Sequence, residues 1–191
     1  VKLLEDRIRN EGKVLPGDIV KVDGFLNHKV DVKLLRECAK EFGRLFDTSD
    51  ITCVVTVEAS GIPIATICAE EFGVPMVFAK KAKSDNISGN VYTSEIRSYT
   101  YKKTVTLTLS KEWITSNDKV LIIDDFIANG QALNGLIDMI NQSGAEIAGI
   151  GIAVEKGFQP GGASLREKGY NVHSLAIIDR ADENGFVFRA Q

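Results

Sequence analysis

A chain of 191 residues, 44% hydrophobic and 26% charged, has the length and composition of one globular domain with a sizeable core, and a formal net charge of −3 argues against a broad nucleic-acid-binding face. No apolar run approaches the roughly 20 residues of a membrane-spanning helix, and the acidic start LLEDRIRNEG has the character of neither a signal peptide nor a transit peptide, so a cytoplasmic protein is expected. Cys38, Cys53 and Cys68 are odd in number and lack metal-ligand spacing, which leaves them as small buried apolar groups, while His28 and His173 are too isolated to predict a triad or a metal site.

Residues 31 to 46, DVKLLRECAKEFGRLF, set Leu34, Leu35, Cys38, Phe42, Leu45 and Phe46 near one helical face, opposite Lys33, Glu37, Lys40 and Arg44, and so predict a core-packing helix. ITCVVTV at 51 to 57 is an apolar, β-branched run of the kind that forms a strand covered on both faces. The turn Glu58-Ala59-Ser60-Gly61 follows, then a helix that opens at Ile62-Pro63 and stops at Gly73. VPMVFA at 74 to 79 predicts the next strand, and VLIID at 120 to 124 and IAGIGIAV at 147 to 154 predict two more. Between that last pair, Leu133, Leu136, Ile137 and Ile140 mark a helix, with Gly144 as its stop. Such alternation implies an α/β fold in which helices flank a central parallel sheet. The segment 81 to 111 breaks the rhythm: it is polar, rich in hydroxyls and without helical period, although Val105, Leu107 and Leu109 alternate with threonines and predict a two-stranded flap in part of it.

Chemistry gathers at VLIIDDFIANGQAL, residues 120 to 133. In an open parallel sheet ligands bind beyond the carboxyl ends of the strands, where Asp124 and Asp125 are expected to emerge. The next residues, Ala128-Asn129-Gly130-Gln131-Ala132, lead into a helix whose first amides lack partners within it and can grip an anion. Two carboxylates beside a phosphate nest suit neutral hydroxyls or a metal, so a ribose 5-phosphate fits the stretch, although an acidic pair at a strand end is also an ordinary solvated turn. The turn at Glu58 to Gly61 is a second anion-accepting turn or simply a helix cap. Lys80, Lys81 and Lys83 face a diphosphate or form a solvated face. Lys156, closing the strand that ends in GIAVEK, can donate to a purine O6 or N7 but cannot accept from an exocyclic amine, which favours oxopurines over adenine; otherwise it is a surface partner of Glu155. Phe126 and Phe158 stack on a base or belong to the core.

VLIIDDFIANGQA resembles the diphosphate-binding signature of type I phosphoribosyltransferases: four apolar residues, two acids, two apolar residues, then small and glycine residues. GDIVKVDGFLNHKVD, VEASGIPIA and VEKGFQPGG extend the resemblance over nearly the whole chain, toward bacterial members of the family that act on xanthine. The resemblance implies a single domain with a central parallel sheet, a flexible flap over 84 to 110 and a small base-binding hood from residues 1 to 30. It implies a purine-salvage reaction in which 5-phosphoribosyl 1-diphosphate gives its phosphoribosyl group to N9 of xanthine, with Mg²⁺ bound along with the diphosphate. On the matching positions Asp124 and Asp125 are catalytic, Ala128, Asn129, Gly130, Gln131 and Ala132 hold the phosphoribosyl diphosphate, and Val20, Asn27 and Lys156 contact xanthine. The turn at Glu58 would meet pyrophosphate, often through a non-proline cis peptide, and the usual state is a cytoplasmic homodimer in which the lysines after the VPMVFA strand reach the neighbouring subunit's site. Asn129 and Ala132 replace the family's frequent threonine or serine, Gln131 a second glycine, and Val20 an expected leucine, so phosphate grip leans on backbone amides and the base pocket widens. Readings left open are the same transfer to guanine or hypoxanthine, and a regulator that binds the diphosphate without turnover; a receiver domain is disfavoured by the late position of the acidic pair.

Overall fold

A computed structural model of the chain describes residues 1–17, 19–82, 89–97 and 104–191. The helices are α1 (Lys2–Glu11), α2 (Val32–Leu45), α3 (Ile62–Phe72), α4 (Gln131–Ser143) and α5 (Gly161–Glu167). The strands are β1 (Lys13–Leu15), β2 (Ile19–Lys21), β3 (Cys53–Val57), β4 (Met76–Ala82), β5 (Val91–Arg97), β6 (Thr104–Ser110), β7 (Lys119–Ile127), β8 (Glu146–Lys156), β9 (Val172–Asp182) and β10 (Gly185–Phe188).

Eight strands form one sheet in the order β10-β9-β8-β7-β3-β4-β6-β5, while β1 and β2 make a separate ribbon. The five central strands, β9 to β4, run parallel; β10 at one edge and the β5–β6 hairpin at the other pair antiparallel. Asp31 starts α2 by accepting from the amides of Lys33 and Leu34, both at 3.1 Å, which satisfies two of the donors a helix start leaves orphaned. The helix buries Leu34, Leu35, Cys38 and Phe42 of the predicted face, together with Ala39, while Leu45 is half-buried. β3 is buried at every residue, as expected of a central parallel strand.

The sheet separates two cores. Leu121 and Ile123 of β7 pack with α2, α3 and the N-terminal region, where Leu4, Ile8, Val20, Phe25 and Leu26 form a cap. Ile122 and Val120, on the other face, pack with Leu133, Leu136 and Ile140 of α4. The hairpin is seated on that second core: a Cβ built on Gly135 of α4 would lie 2.5 Å from Ile96 Cγ2 and 3.0 Å from Leu107 Cδ1. Part of the 81 to 111 excursion is therefore two-stranded, pairing from Val91↔Ser110 to Arg97↔Thr104 with Leu107 and Leu109 buried. Lys83 and the stretches 84–88 and 98–103 of the expected flap lie outside the described residues.

Among the strand ends that differ from expectation, those of β4 and β7 bear on the site, and both have the same cause. β4 runs on through Lys80 and Lys81 because β6 pairs with it there, Lys80↔Thr108 and Lys81↔Leu107. β7 does not end at Asp124 but continues to Ile127, because β8 keeps pairing with it through Phe126↔Val154 and Ile127↔Glu155. On its other side the pairing with β3 stops at Val55↔Ile122. The acidic pair thus sits where β7 is supported along one edge. All three cysteines are free and buried, and burial pushes the Cys38 thiol up to about 12 and that of Cys53 to about 11. Among the described residues no helix is long and apolar enough to cross a membrane.

Candidate active site

Successive strand residues face opposite sides of a sheet, and this divides the two acids. Asp124, 7% exposed, lines a cleft of about 440 Å³ together with Lys81, Arg97, Phe126 and residues 128–133. Its Oδ1 accepts from the Asp125 amide at 2.9 Å. Burial pushes the Asp124 carboxyl well above the usual range, the adjacent charge of Asp125 adds to this, and the Lys81 cation opposes it. Asp125, 2% exposed, is absent from that lining. It accepts instead from Ser60 Oγ at 2.9 Å and from Asn27 Nδ2 at 2.5 Å. One carboxylate faces the cleft, and the other ties the turn after β3 to the N-terminal cap.

Gly130 caps the start of α4 in a left-handed conformation, φ 76°, and no side chain caps the helix. Its carbonyl accepts from Asn134 Nδ2 at 2.9 Å, while residues 128 to 133 form one wall of the cleft. Uncapped amides beside a cavity have the donor chemistry to accept an anion.

The turn after β3 packs against Asp124, although none of its residues lines the cleft. The Glu58–Ala59 peptide is cis, Glu58 N donates to Ala79 O at 3.0 Å, and Glu58 Oε1 accepts from the Lys81 amide at 2.5 Å. A Cβ on Gly61 would lie 2.1 Å from Thr56 Oγ1, a buried hydroxyl without a hydrogen-bond partner among the described residues, and 2.5 Å from Asp124 Oδ1. Gly61→Ala is therefore expected to push the turn away from Asp124, lowering stability by about 1–3 kcal/mol. Urea unfolding checks this, and an unchanged midpoint would mean that the turn gives way without cost.

A second cavity, of about 460 Å³, brings Val20, Asn27, Phe126 and Lys156 together although they come from β2, the following turns, β7 and β8. Lys156 Nζ lies 5.7 Å from the centroid of the Phe126 ring, and that ring lines both cavities. Phe158 is exposed and lines neither. Lys80 is exposed with its Nζ 5.9 Å from the Phe78 centroid, outside the cleft that Lys81 lines. His173 packs edge-on against Phe46 with centroids 5.1 Å apart. Sequence reasoning missed the Ser60 hydroxyl on Asp125, although VEASG was in view, because the contact spans 65 residues and no local pattern reports it.

Residues 25–183 match the family model described as the phosphoribosyl transferase domain. The xanthine phosphoribosyltransferase of Lachnoclostridium phytofermentans is 53% identical, over 99% of this chain and 98% of that protein. That of Ruminiclostridium cellulolyticum is 54% identical over 97% of each. Among solved structures, APRTase from Giardia lamblia complexed with 9-deazaadenine is alike with a TM-score of 0.76 at 24% identity, over 91% of this chain and 96% of that one. The adenine phosphoribosyltransferase of Trypanosoma brucei, solved with AMP, pyrophosphate and ribose-5-phosphate, gives a TM-score of 0.76 at 20% identity over 95% and 83%. At such identities the structural likeness is one of fold, a parallel sheet flanked by helices, whereas the family match and the full-length relatives speak for descent. The chain belongs to the phosphoribosyltransferase family.

Proposed function

We propose that the chain is a purine-salvage enzyme that transfers the 5-phosphoribosyl group from 5-phosphoribosyl 1-diphosphate to N9 of xanthine, releasing pyrophosphate and giving xanthosine 5′-monophosphate. The observation that carries this reading is the pair of adjoining cavities with Phe126 as a common wall, one holding Asp124 and the uncapped start of α4, the other Val20, Asn27 and Lys156. A base in one and a phosphoribosyl group in the other would meet beside Asp124. The two relatives above, named for xanthine, support the choice of base.

On this reading the first amides of α4 hold the 5-phosphate, and Ala128 to Ala132 form its cradle. The Asp124 carboxylate orients the ribosyl group and answers the positive charge that grows at C1 as its bond to the diphosphate oxygen breaks, while N9 of the base forms the new bond and releases its proton to solvent. Most of the rate gain is positioning and electrostatics in a buried setting. The Lys156 ammonium donates to O6, which turns away adenine, whose exocyclic amine is itself a donor. One N–H of Asn27 is committed to Asp125 at 2.5 Å, leaving its carbonyl and second N–H for the 2-oxo edge of the base.

Asp124 and Asp125, the second already accepting two hydrogen bonds, are too few for a dedicated protein cage, and would help to hold an Mg²⁺ that arrives with the diphosphate. When bound, Mg²⁺ neutralises the leaving diphosphate. In the same reading the protein works in the cytoplasm as a homodimer, with the exposed Lys80 available to a diphosphate in the neighbouring subunit.

Pyrophosphate release with 5-phosphoribosyl 1-diphosphate and Mg²⁺, with xanthine, guanine, hypoxanthine and adenine assayed separately, tests the proposal. Turnover led by xanthine is expected. A lead for guanine or hypoxanthine would keep the mechanism and overturn the base pocket, and binding of the diphosphate without turnover of any base would point to a regulator.

A further inference from the structure

The turn from Ala128 to Gly130 is propped from behind. Gly161, the first residue of α5, donates its amide to Ala128 O at 3.0 Å, and a Cβ there would lie 2.4 Å from Ala128 O and 2.8 Å from Gly130 N. The height of α5 therefore sets the shape of the turn. At seven residues α5 is too short to hold its place by its own hydrogen bonds, and its contacts with the sheet decide where it lies.

Those contacts converge on one buried carboxylate. Arg166 of α5 donates from Nη1 to Glu155 Oε1 at 2.9 Å and from Nη2 to Oε2 at 2.7 Å, a fork on a fork, and its Nε reaches Val172 O at 3.3 Å. Ser174 Oγ also donates to Glu155 Oε2. Glu155 is 1% exposed, directly precedes Lys156 in β8, and lies so close beneath α5 that a Cβ on Gly162 would be 2.1 Å from its Oε1. Burial works against its charge, but the hydrogen bonds from Arg166 and Ser174 outweigh this and hold the carboxyl below its usual range. Neither Glu155 nor Arg166 lines either cavity.

We propose that the Glu155–Arg166 pair is a positioning device for the 5-phosphate site: it fixes α5 at the height at which Gly161 supports the Ala128–Gly130 turn, so Arg166 sets affinity for the phosphorylated substrate without touching it. The inference rests on reading that turn as the phosphate site. A lysine at 166 keeps the charge and loses the planar fork, so it should leave the buried carboxylate neutralised while letting α5 shift.

The test measures KM for 5-phosphoribosyl 1-diphosphate, KM for xanthine, kcat, and ribose 5-phosphate binding by calorimetry, on the wild type, Arg166→Lys and Gly161→Ala. Arg166→Lys is expected to weaken ribose 5-phosphate binding and raise the diphosphate KM about tenfold, with xanthine KM and kcat within about twofold. Gly161→Ala, which loads the turn directly from α5, should show the same loss of phosphate affinity. Unchanged ribose 5-phosphate binding in a folded Arg166→Lys protein overturns the proposal, as does an equal loss for xanthine, which would make the pair a general support of the fold. If Arg166→Lys does not fold, Gly161→Ala decides alone, and normal phosphate affinity there overturns the proposal. A wild-type protein that fails to bind ribose 5-phosphate sinks the reading of the turn itself, a result distinct from variants that bind as well as the wild type.

Discussion

Asp125→Asn is expected to lower kcat by about 10²- to 10³-fold while the chain stays folded. Asparagine has nearly the shape of aspartate, its carbonyl can accept from Asn27, and its amide can donate to the Ser60 oxygen, whose hydroxyl rotates to suit either neighbour. The packing of cap, turn and β7 is then retained and only a negative charge is removed. That charge sits in a buried setting beside Asp124, close enough to raise its neighbour's pKa, and on the proposed mechanism it would also favour a cationic ribosyl centre formed next to Asp124. Steady-state turnover at saturating substrates, with an unfolding midpoint measured in parallel, decides the matter. Turnover within about twofold of wild type, equivalent to about 0.4 kcal/mol in barrier, would remove the charge from the mechanism.

Asp124→Asn is expected to lose activity on a similar scale yet to gain stability at neutral pH. The folded-state pKa of Asp124 is raised well above 3.8 by burial and by Asp125. From about pH 4, the ordinary carboxylate range, up to that raised value, the unfolded chain has released the proton and the folded chain still holds it. Stability therefore falls as pH rises through this window and stays low above it. Asparagine does not ionise and escapes the penalty, so the stability difference between variant and wild type should be largest at pH 8 and shrink steadily as pH is lowered toward 4. Urea midpoints across that range check the trend, and a difference that does not change with pH would mean that Asp124 is not strained by ionisation. On the proposed mechanism function and stability would pull in opposite directions at this residue, as they often do where a charge is held in a dry site.

Much of the sheet was legible because its elements carry their own periodicity. α2 shows five buried residues at helical spacing behind a capping aspartate, and β3 is apolar without interruption. The acidic pair and the turn into α4 were readable because strand, carboxylates and helix start are contiguous. The N-terminal cap was not: α1 buries only Leu4 and Ile8 among ten residues, and Val20 and Asn27 reach their cavity through folding of the whole region. Without the family resemblance neither would have been singled out. β9 and α5 also went unplaced, and with them the Glu155–Arg166 pair, whose partners stand 11 residues apart on elements whose mutual register no local pattern reports. Likewise, the extension of β4 and β7 beyond their apolar runs depends on neighbours, β6 and β8, that are distant in sequence.

Phe126 has a consequence beyond lining two cavities. On the proposed function, ligands seated on either side of this ring would not bind independently, because whatever the first does to that wall alters the surface that the second meets. The Asn27–Asp125 hydrogen bond links the second cavity to the residue beside Asp124. Thermodynamic linkage makes the effect reciprocal: the factor by which base changes the dissociation constant of the phosphorylated sugar equals the factor by which the sugar changes that of the base. Cooperation between two substrates can thus arise within a single chain, from a shared aromatic side chain and one amide.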